Sequence, residues 1–298
     1  MKAIVIGGTG FVGRHLVGRL DKPVVVGRSA AKIEKIFDGV DARVWDPDGT
    51  IDPSLFSGVD TVFHLAGDSI FRGRWTDAKK ERIRTSRIDV TRGVVTAMAG
   101  CAEPPKTLIC ASAVGYYGSR GAEKLTEDAA PGHDFLAEIC RQWENEAMAA
   151  EKFGTRVVCV RIGVVLGRDG GALSRMVPPF QLGLGGRLGN GRQYMSWIHI
   201  KDLVGILLHI AEDKTMQGPV NGVAPQPVTN SEFTRTLGRA LHRPAFLPVQ
   251  AAVLRIVLGE FATVLLSSQR VVPDRISRAG YHFLFPEING ALRNLLEK

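Results

Sequence analysis

The residues best placed to do chemistry are three glycines and an arginine. Glycines 7, 10 and 13 form a Gly-x-x-Gly-x-x-Gly turn, Gly7-Gly8-Thr9-Gly10-Phe11-Val12-Gly13. In such a turn the first glycine lets the chain reverse tightly and the second lets backbone approach a pyrophosphate. The third lets the following helix pack closely on the preceding strand. The helix start adds free amides and a positive dipole end, both of which favour phosphate. A dinucleotide fits that chemistry. A chain that binds NAD normally carries Asp or Glu about 20 residues further on, bonded to the ribose hydroxyls. Here the point reads Val26-Gly27-Arg28-Ser29, with no carboxylate until Glu34. A carboxylate would repel a 2′-phosphate, whereas the guanidinium of Arg28 can grip it in bidentate fashion and stack on adenine. NADP is therefore the expected cofactor, with Ser29 and Lys32 as helpers. Leu65-Ala66-Gly67 ends a later apolar run, where small residues let backbone lie along the adenosine ribose.

These residues need a scaffold, and the patterning supplies one. Residues 2–6 are a short apolar run without helical periodicity, the mark of a strand buried on both faces. Further strands are expected at residues 23–27, 42–45, 59–66, 106–112 and 156–162. Helices are expected at residues 11–20, 28–37, 76–100 and 134–152. The alternation predicts an α/β fold, a Rossmann doubly wound parallel sheet with helices on both faces. Crossovers should be right-handed and ligand should sit at the carboxyl ends of the strands. Beyond Gly163, glycine-rich loops at 167–171 and 183–191 alternate with short helices. The expected division is a cofactor domain over 1–165 and a smaller substrate lobe over 166–298, with a segment near 219–223 returning to the main sheet.

Composition narrows the partners. The formal charge is +8, and residues 72–92 carry +5 of it. Only Trp75 accompanies those charges, so there is no aromatic interleaving for base stacking, and a solvated helix face is expected rather than a nucleic-acid surface. Cys101, Cys110, Cys140 and Cys159 show neither a C-x-x-C pair nor zinc-finger spacing, which points to reduced thiols and no metal. The greasiest stretch, 251–266, is interrupted by Arg255 and Glu260 and is too short to span a bilayer. It reads as a buried or interface helix. With no room before the first strand for a leader, a cytoplasmic protein is expected, one that works on a small molecule, with no membrane or nucleic-acid partner and a homodimer as the one assembly considered.

Longer phrases add a resemblance. His64-Leu65-Ala66-Gly67, Arg74-Trp75-Thr76, Ser86-Arg87 and Ser112-Ala113-Val114-Gly115-Tyr116-Tyr117-Gly118 are among them. Others are Asp134-Phe135-Leu136-Ala137, Gly163-Val164-Val165-Leu166-Gly167, Ser196-Trp197-Ile198-His199-Ile200 with Asp202, and Ser268-Gln269-Arg270-Val271. Through them essentially the whole chain resembles the extended short-chain dehydrogenase/reductase superfamily, in its "epimerase family protein" branch. The resemblance implies a Rossmann fold, bound NADP and a C-terminal substrate lobe. It places Arg87 near the cofactor, where it can reach the phosphates or serve as one more basic helix residue. It also implies a Tyr-x-x-x-Lys pair as the acid/base, and this chain departs from that. None of its four tyrosines has lysine at +4, and the helix expected to carry the pair offers Leu136 and Cys140. Ser112, Tyr116 and Tyr117 are the replacements named as catalytic, with Glu138 and Cys140 behind them. His199 and Asp202 are expected to pack between the lobes. Two functions follow: an NADP-dependent oxidoreductase or epimerase on a small, sugar-like, sugar-nucleotide or anionic substrate, or an NADP-binding regulator or scaffold without that chemistry.

Overall fold

In the computed structural model, which describes residues 1–46, 49–71 and 73–297, the apolar runs line up as one parallel sheet. Arg72, part of the basic stretch, lies outside the described residues. Strand β1 (Ala3–Ile6) enters α1 (Phe11–Val17) through the glycine turn, and β2 (Val24–Gly27) enters α2 (Ala30–Ile36). Then come β3 (Asp41–Val44), β4 (Thr61–His64), α3 (Asp77–Thr85), α4 (Ile88–Ala99) and β5 (Thr107–Ala113). The pair β6 (Lys124–Leu125) and α5 (Phe135–Met148) leads to β7 (Arg156–Ile162). The later part holds β8 (Val164–Gly167), β9 (Gly170–Gly171), α6 (Leu173–Gln181), β10 (Tyr194–Met195), β11 (Trp197–His199) and α7 (Ile200–Glu212). It continues with β12 (Gly218–Gly222), β13 (Val228–Thr229), α8 (Asn230–Ala240), α9 (Ala251–Leu258) and α10 (Ala262–Leu266). The chain closes with β14 (Arg270–Val271), α11 (Asp274–Arg278) and α12 (Ile288–Leu296).

The main sheet runs β12-β7-β5-β4-β1-β2-β3, every pairing parallel. Alternation along β1 explains why it is apolar throughout. Ile4 and Ile6 join one core layer with Val62 and Leu108, while Ala3 and Val5 join the opposite layer with Ile109 and Leu203. From β1 the chain builds outward to β2 and β3, then returns to the other side at β4. That reversal opens a crevice at the carboxyl ends of β1 and β4, the place where such sheets bind ligand. Segment 218–222 adds the far edge of the sheet beside β7.

Three expected helices differ in form. Residues 76–100 make two helices, broken at Ser86-Arg87. The Ser86 hydroxyl accepts from the Asp68 amide at 3.0 Å, and Arg87 donates to the Ile83 and Asp68 carbonyls at 3.2 and 3.0 Å. Loop contacts thus end α3 without glycine or proline. The helix expected over 134–152 is α-helical to Met148 and then tightens into a 3-10 turn ended by Gly154 at φ 83°. The 251–266 stretch, expected as one buried or interface helix, breaks at Gly259 into α9 and α10. Leu254 of α9 is buried, but Val253, Ile256 and Val257 are exposed.

The smaller lobe has its own core, where Leu166, Trp197, Phe233 and Leu292 meet. It is fastened to the sheet near the glycine turn. A Cβ on Gly167 or Gly170 would lie 2.4 or 2.5 Å from the Phe11 ring, so the β8–β9 turn closes directly on that side chain. Asp169 beside it pairs with His15 and Arg14. His199 stacks on Phe285 with centroids 3.9 Å apart, and Asp202 accepts from the Leu284 and Phe285 amides. Burial holds His199 neutral, its pKa down at about 4.

Candidate functional site

The crevice at β1 and β4 is shaped by backbone crossings that admit no side chain. Gly7 takes φ 84°, and a Cβ there would lie 2.9 Å from the backbone of Leu65 and Ala66. A Cβ on Gly13 would lie 2.3 Å from the Gly7 carbonyl oxygen. The first and third glycines therefore fix how closely α1 approaches the strand, and Leu65-Ala66 forms the opposite lip. Gly10 is the N-cap of α1 and supplies no side chain to cap its first turn. Thr9 and Gly10 stand at the rim, Val12 packs into the core, and Phe11 is spent on the lobe contact. The turn can thus offer Phe11 and Val12 to a ligand only through their backbone.

Arg28 follows directly on β2, exposed and with no hydrogen bond or ion pair among the described residues. Ser29 caps α2, accepting from the Lys32 amide at 3.3 Å, which fixes the loop that carries Arg28. Arg87 sits at the α3–α4 break against Gly67, its guanidinium 3.4 Å from where a Gly67 Cβ would be. It lies 5.2 Å over the Trp143 ring. Burial lowers its pKa, with Cys140 and Asp68 working in the opposite direction. Its hydrogen bonds go to carbonyls and the Ser86 hydroxyl, so no carboxylate cancels its charge by direct contact. A half-desolvated guanidinium in a crevice suits an anionic ligand.

Across the sheet, at the carboxyl ends of β5 and β7, the hydroxyls are already engaged. Ser112 is 3% exposed and donates to Glu144 at 2.7 Å. Glu144 is clamped by Arg161 through two bonds, of 2.9 and 2.8 Å. Arg161 also donates to the Tyr117 hydroxyl at 2.9 Å, and that hydroxyl donates to Asn221 at 2.7 Å. Tyr117 is fully buried, and burial pushes its pKa up to about 12 despite Arg161. Glu127 closes the chain, accepting from the Asn221 and Arg275 amides. The Tyr116 ring lies 3.4 Å beneath the Arg161 guanidinium. Leu136 and Cys140 of α5 face Gly115, and burial pushes the Cys140 thiol up to about 12. Glu138 pairs with Arg141 and Gln142. The structure thus brings Ser112 and Tyr117 together, but as members of one buried network rather than facing the crevice. Sequence reasoning gave no role to Glu144, Arg161, Asn221 or Glu127. A local signal for Arg161 was an arginine inside the otherwise apolar run Val157-Val158-Cys159-Val160-Arg161-Ile162.

Four of the described basic residues of the 72–92 stretch are paired with acids. Lys79 pairs with Asp68, Lys80 with Glu260, Arg84 with Glu81 and Asp89, and Arg92 with Glu146. No group of three or more His, Cys, Asp or Glu able to hold a metal occurs among the described residues. No helix among them is long and apolar enough to cross a membrane.

Comparison with known proteins decides the lineage. The model of the NAD dependent epimerase/dehydratase family matches residues 3–221. The chain belongs to that family. A domain of unknown function, DUF1731, matches residues 249–295. Epimerase family protein SDR39U1 of Mus musculus is 40% identical over 304 residues, covering 99% of this chain and all of the relative. The Arabidopsis thaliana homologue, described as chloroplastic, is 41% identical over all of this chain and 87% of its own length. The crystal structure of human SDR39U1 (isoform 2) with NADPH superposes with a TM-score of 0.87 at 36% identity, over 100% of this chain and 99% of that one. A UDP-glucuronic acid 4-epimerase from Bacillus cereus has a TM-score of 0.80 at 18% identity, a likeness of fold alone. The Rossmann α/β expectation and the placement in the epimerase family both hold.

Proposed function

We propose that this chain binds NADP(H) at the glycine turn and uses it in redox chemistry on a small molecule. The observation that carries the reading is the uncommitted Arg28 guanidinium, held at the end of β2 beside a glycine crossing too tight for any Cβ. The human relative crystallised with NADPH supports it. The residues fit the cofactor: Gly7, Gly10 and Gly13 admit the pyrophosphate against backbone amides. Thr9 flanks it, and Leu65-Ala66-Gly67 forms the ribose-side lip. Arg28 with Ser29 takes the 2′-phosphate, and Arg87 adds charge beside Gly67. When bound, the nicotinamide supplies a hydride donor or acceptor.

Ser112, Tyr116 and Tyr117 are assigned here to shaping the substrate end rather than to moving protons. Ser112 and Tyr117 give their protons to Glu144 and Asn221, and Tyr116 is covered by Arg161. A substrate of the sugar-nucleotide or small-anion class would then rely on water or on its own groups for proton balance. The same commitment of hydroxyls favours a second reading, a regulator or scaffold that binds NADP(H) without turning it over. Titration of NADPH followed by fluorescence, run beside a panel of nucleotide sugars and carbonyl compounds monitored for NADPH oxidation, separates the two. Binding with turnover supports the first reading. Binding without turnover across the panel supports the second, and absence of binding removes both.

A further inference from the structure

The C-terminal lobe carries a second concentration of positive charge, unlike the first. Helix α8 packs inward through Phe233 and Leu237, and turns Arg235 and Arg239 outward, one helical turn apart. His242 and Arg243 follow it, His242 held at φ 52°. These four residues and Phe246 line a cavity of about 490 Å³ that has no acidic residue in its wall. In the 72–92 stretch, acids from α3, α4, α5 and the α9–α10 turn pair with Lys80, Arg84 and Arg92. Here Arg235, Arg239 and Arg243 have no ion pair among the described residues. Apolar groups stand beside them. Phe246 is 73% exposed. The Leu247 amide bonds to the Gly185 carbonyl, and the Gly186 backbone lies directly on Leu247. That contact brings in Leu184 and Leu182, which are 59% and 75% exposed.

We propose that this face docks on an anionic phospholipid bilayer. Arginines without acid partners attract a negatively charged surface, and each is worth about 1 kcal/mol near one. Large apolar tips beside them can enter the headgroup boundary, so that apolar burial adds to the attraction of anionic lipid. The chain then lies on the membrane without spanning it, which narrows the expectation of no membrane partner to the absence of a span. This inference is independent of the cofactor reading.

The test is flotation of the full chain with vesicles of phosphatidylcholine alone, and with vesicles of about one-third phosphatidylserine. Binding is expected to the anionic vesicles only, and to weaken as salt rises. The triple variant R235Q/R239Q/R243Q should bind about a hundredfold more weakly, from three charges at about 1 kcal/mol each. Phe246→Ser should cost about tenfold and leave the salt dependence intact. Both variants should keep the parent's melting temperature and NADPH affinity, since all four side chains are exposed and outside the crevice. Equal partition onto neutral and anionic vesicles, or a triple variant that binds as the parent does, overturns the proposal. Full competition by millimolar inorganic phosphate would mark a pocket for a soluble anion instead. Self-association lost in Phe246→Ser, with no vesicle binding, would mark a contact between two copies. Either result also overturns it.

Discussion

The two ends of the crevice treat their polar groups in opposite ways. At β1 and β2, the groups suited to holding a nucleotide are left over by the fold: α1 begins without a side-chain cap, and Arg28 has no partner among the described residues. At β5 and β7, the groups that resemble catalytic side chains are consumed by the fold. Ser112, Glu144, Arg161, Tyr117, Asn221 and Glu127 bond to one another in the interior, and one Glu127 carboxylate oxygen is left without a partner there. The difference teaches that a residue's chemical type says little until its hydrogen-bonding capacity is accounted for. A hydroxyl that must satisfy a buried carboxylate is structural, because leaving that carboxylate short costs more than one bond gains. A guanidinium with nothing to satisfy is available for a ligand.

The contrast makes the network end the more fragile to mutation. Glu144→Ala would leave Arg161, whose side chain is 3% exposed, without its carboxylate. A loss of roughly 3–5 kcal/mol in unfolding free energy is expected, read by denaturant titration. A loss below about 1 kcal/mol would mean that the network is looser than drawn. At the binding end, Gly13→Ala forces a Cβ to 2.3 Å from the Gly7 carbonyl. It should weaken NADPH binding about a hundredfold, roughly 2.7 kcal/mol, by calorimetry. Unchanged affinity would show that the turn does not hold the pyrophosphate.

Part of the pH response comes from a third place, beneath both ends. His64 at the end of β4 is fully buried, bonds to the Thr91 hydroxyl at 2.8 Å, and has its pKa lowered by burial to about 4. The unfolded chain takes up that proton near pH 6.5 while the folded one resists it. Stability is therefore full above about pH 6.5 and falls as the pH drops toward 4, by roughly 2–3 kcal/mol for this group. Unfolding free energies measured across that window should show the slope, and His64→Gln should flatten part of it. The smallest effect is expected for Ser112→Ala. Glu144 keeps both Arg161 bonds, so about 1 kcal/mol of stability is lost and NADPH affinity is untouched. A large fall in NADPH affinity would move Ser112 from the network to the cofactor.

The sequence made the binding end legible because its signal is local. Glycine spacing and the missing carboxylate after β2 can be read within thirty residues. The strand over residues 156–162 was equally plain, since both of its faces are apolar apart from its arginines. The break at Ser86-Arg87 was not legible, because it depends on the loop at Asp68 rather than on a helix-breaking residue. The commitment of Ser112 was hidden for another reason. Successive strand residues face opposite sides, so a shift of one position decides between crevice and core. Its partner Glu144 lies 32 residues away on α5. The pairing of the basic stretch likewise depends on Glu146 and Glu260, which no local pattern connects to it.

The most direct test compares the affinities for NADPH and NADH, by calorimetry, in the parent chain and in Arg28→Ala. The account predicts that the parent prefers NADPH by at least about tenfold, and that Arg28→Ala removes most of the preference while leaving NADH binding unchanged. Equal affinity for the two dinucleotides in the parent, or a preference that survives Arg28→Ala, would contradict it.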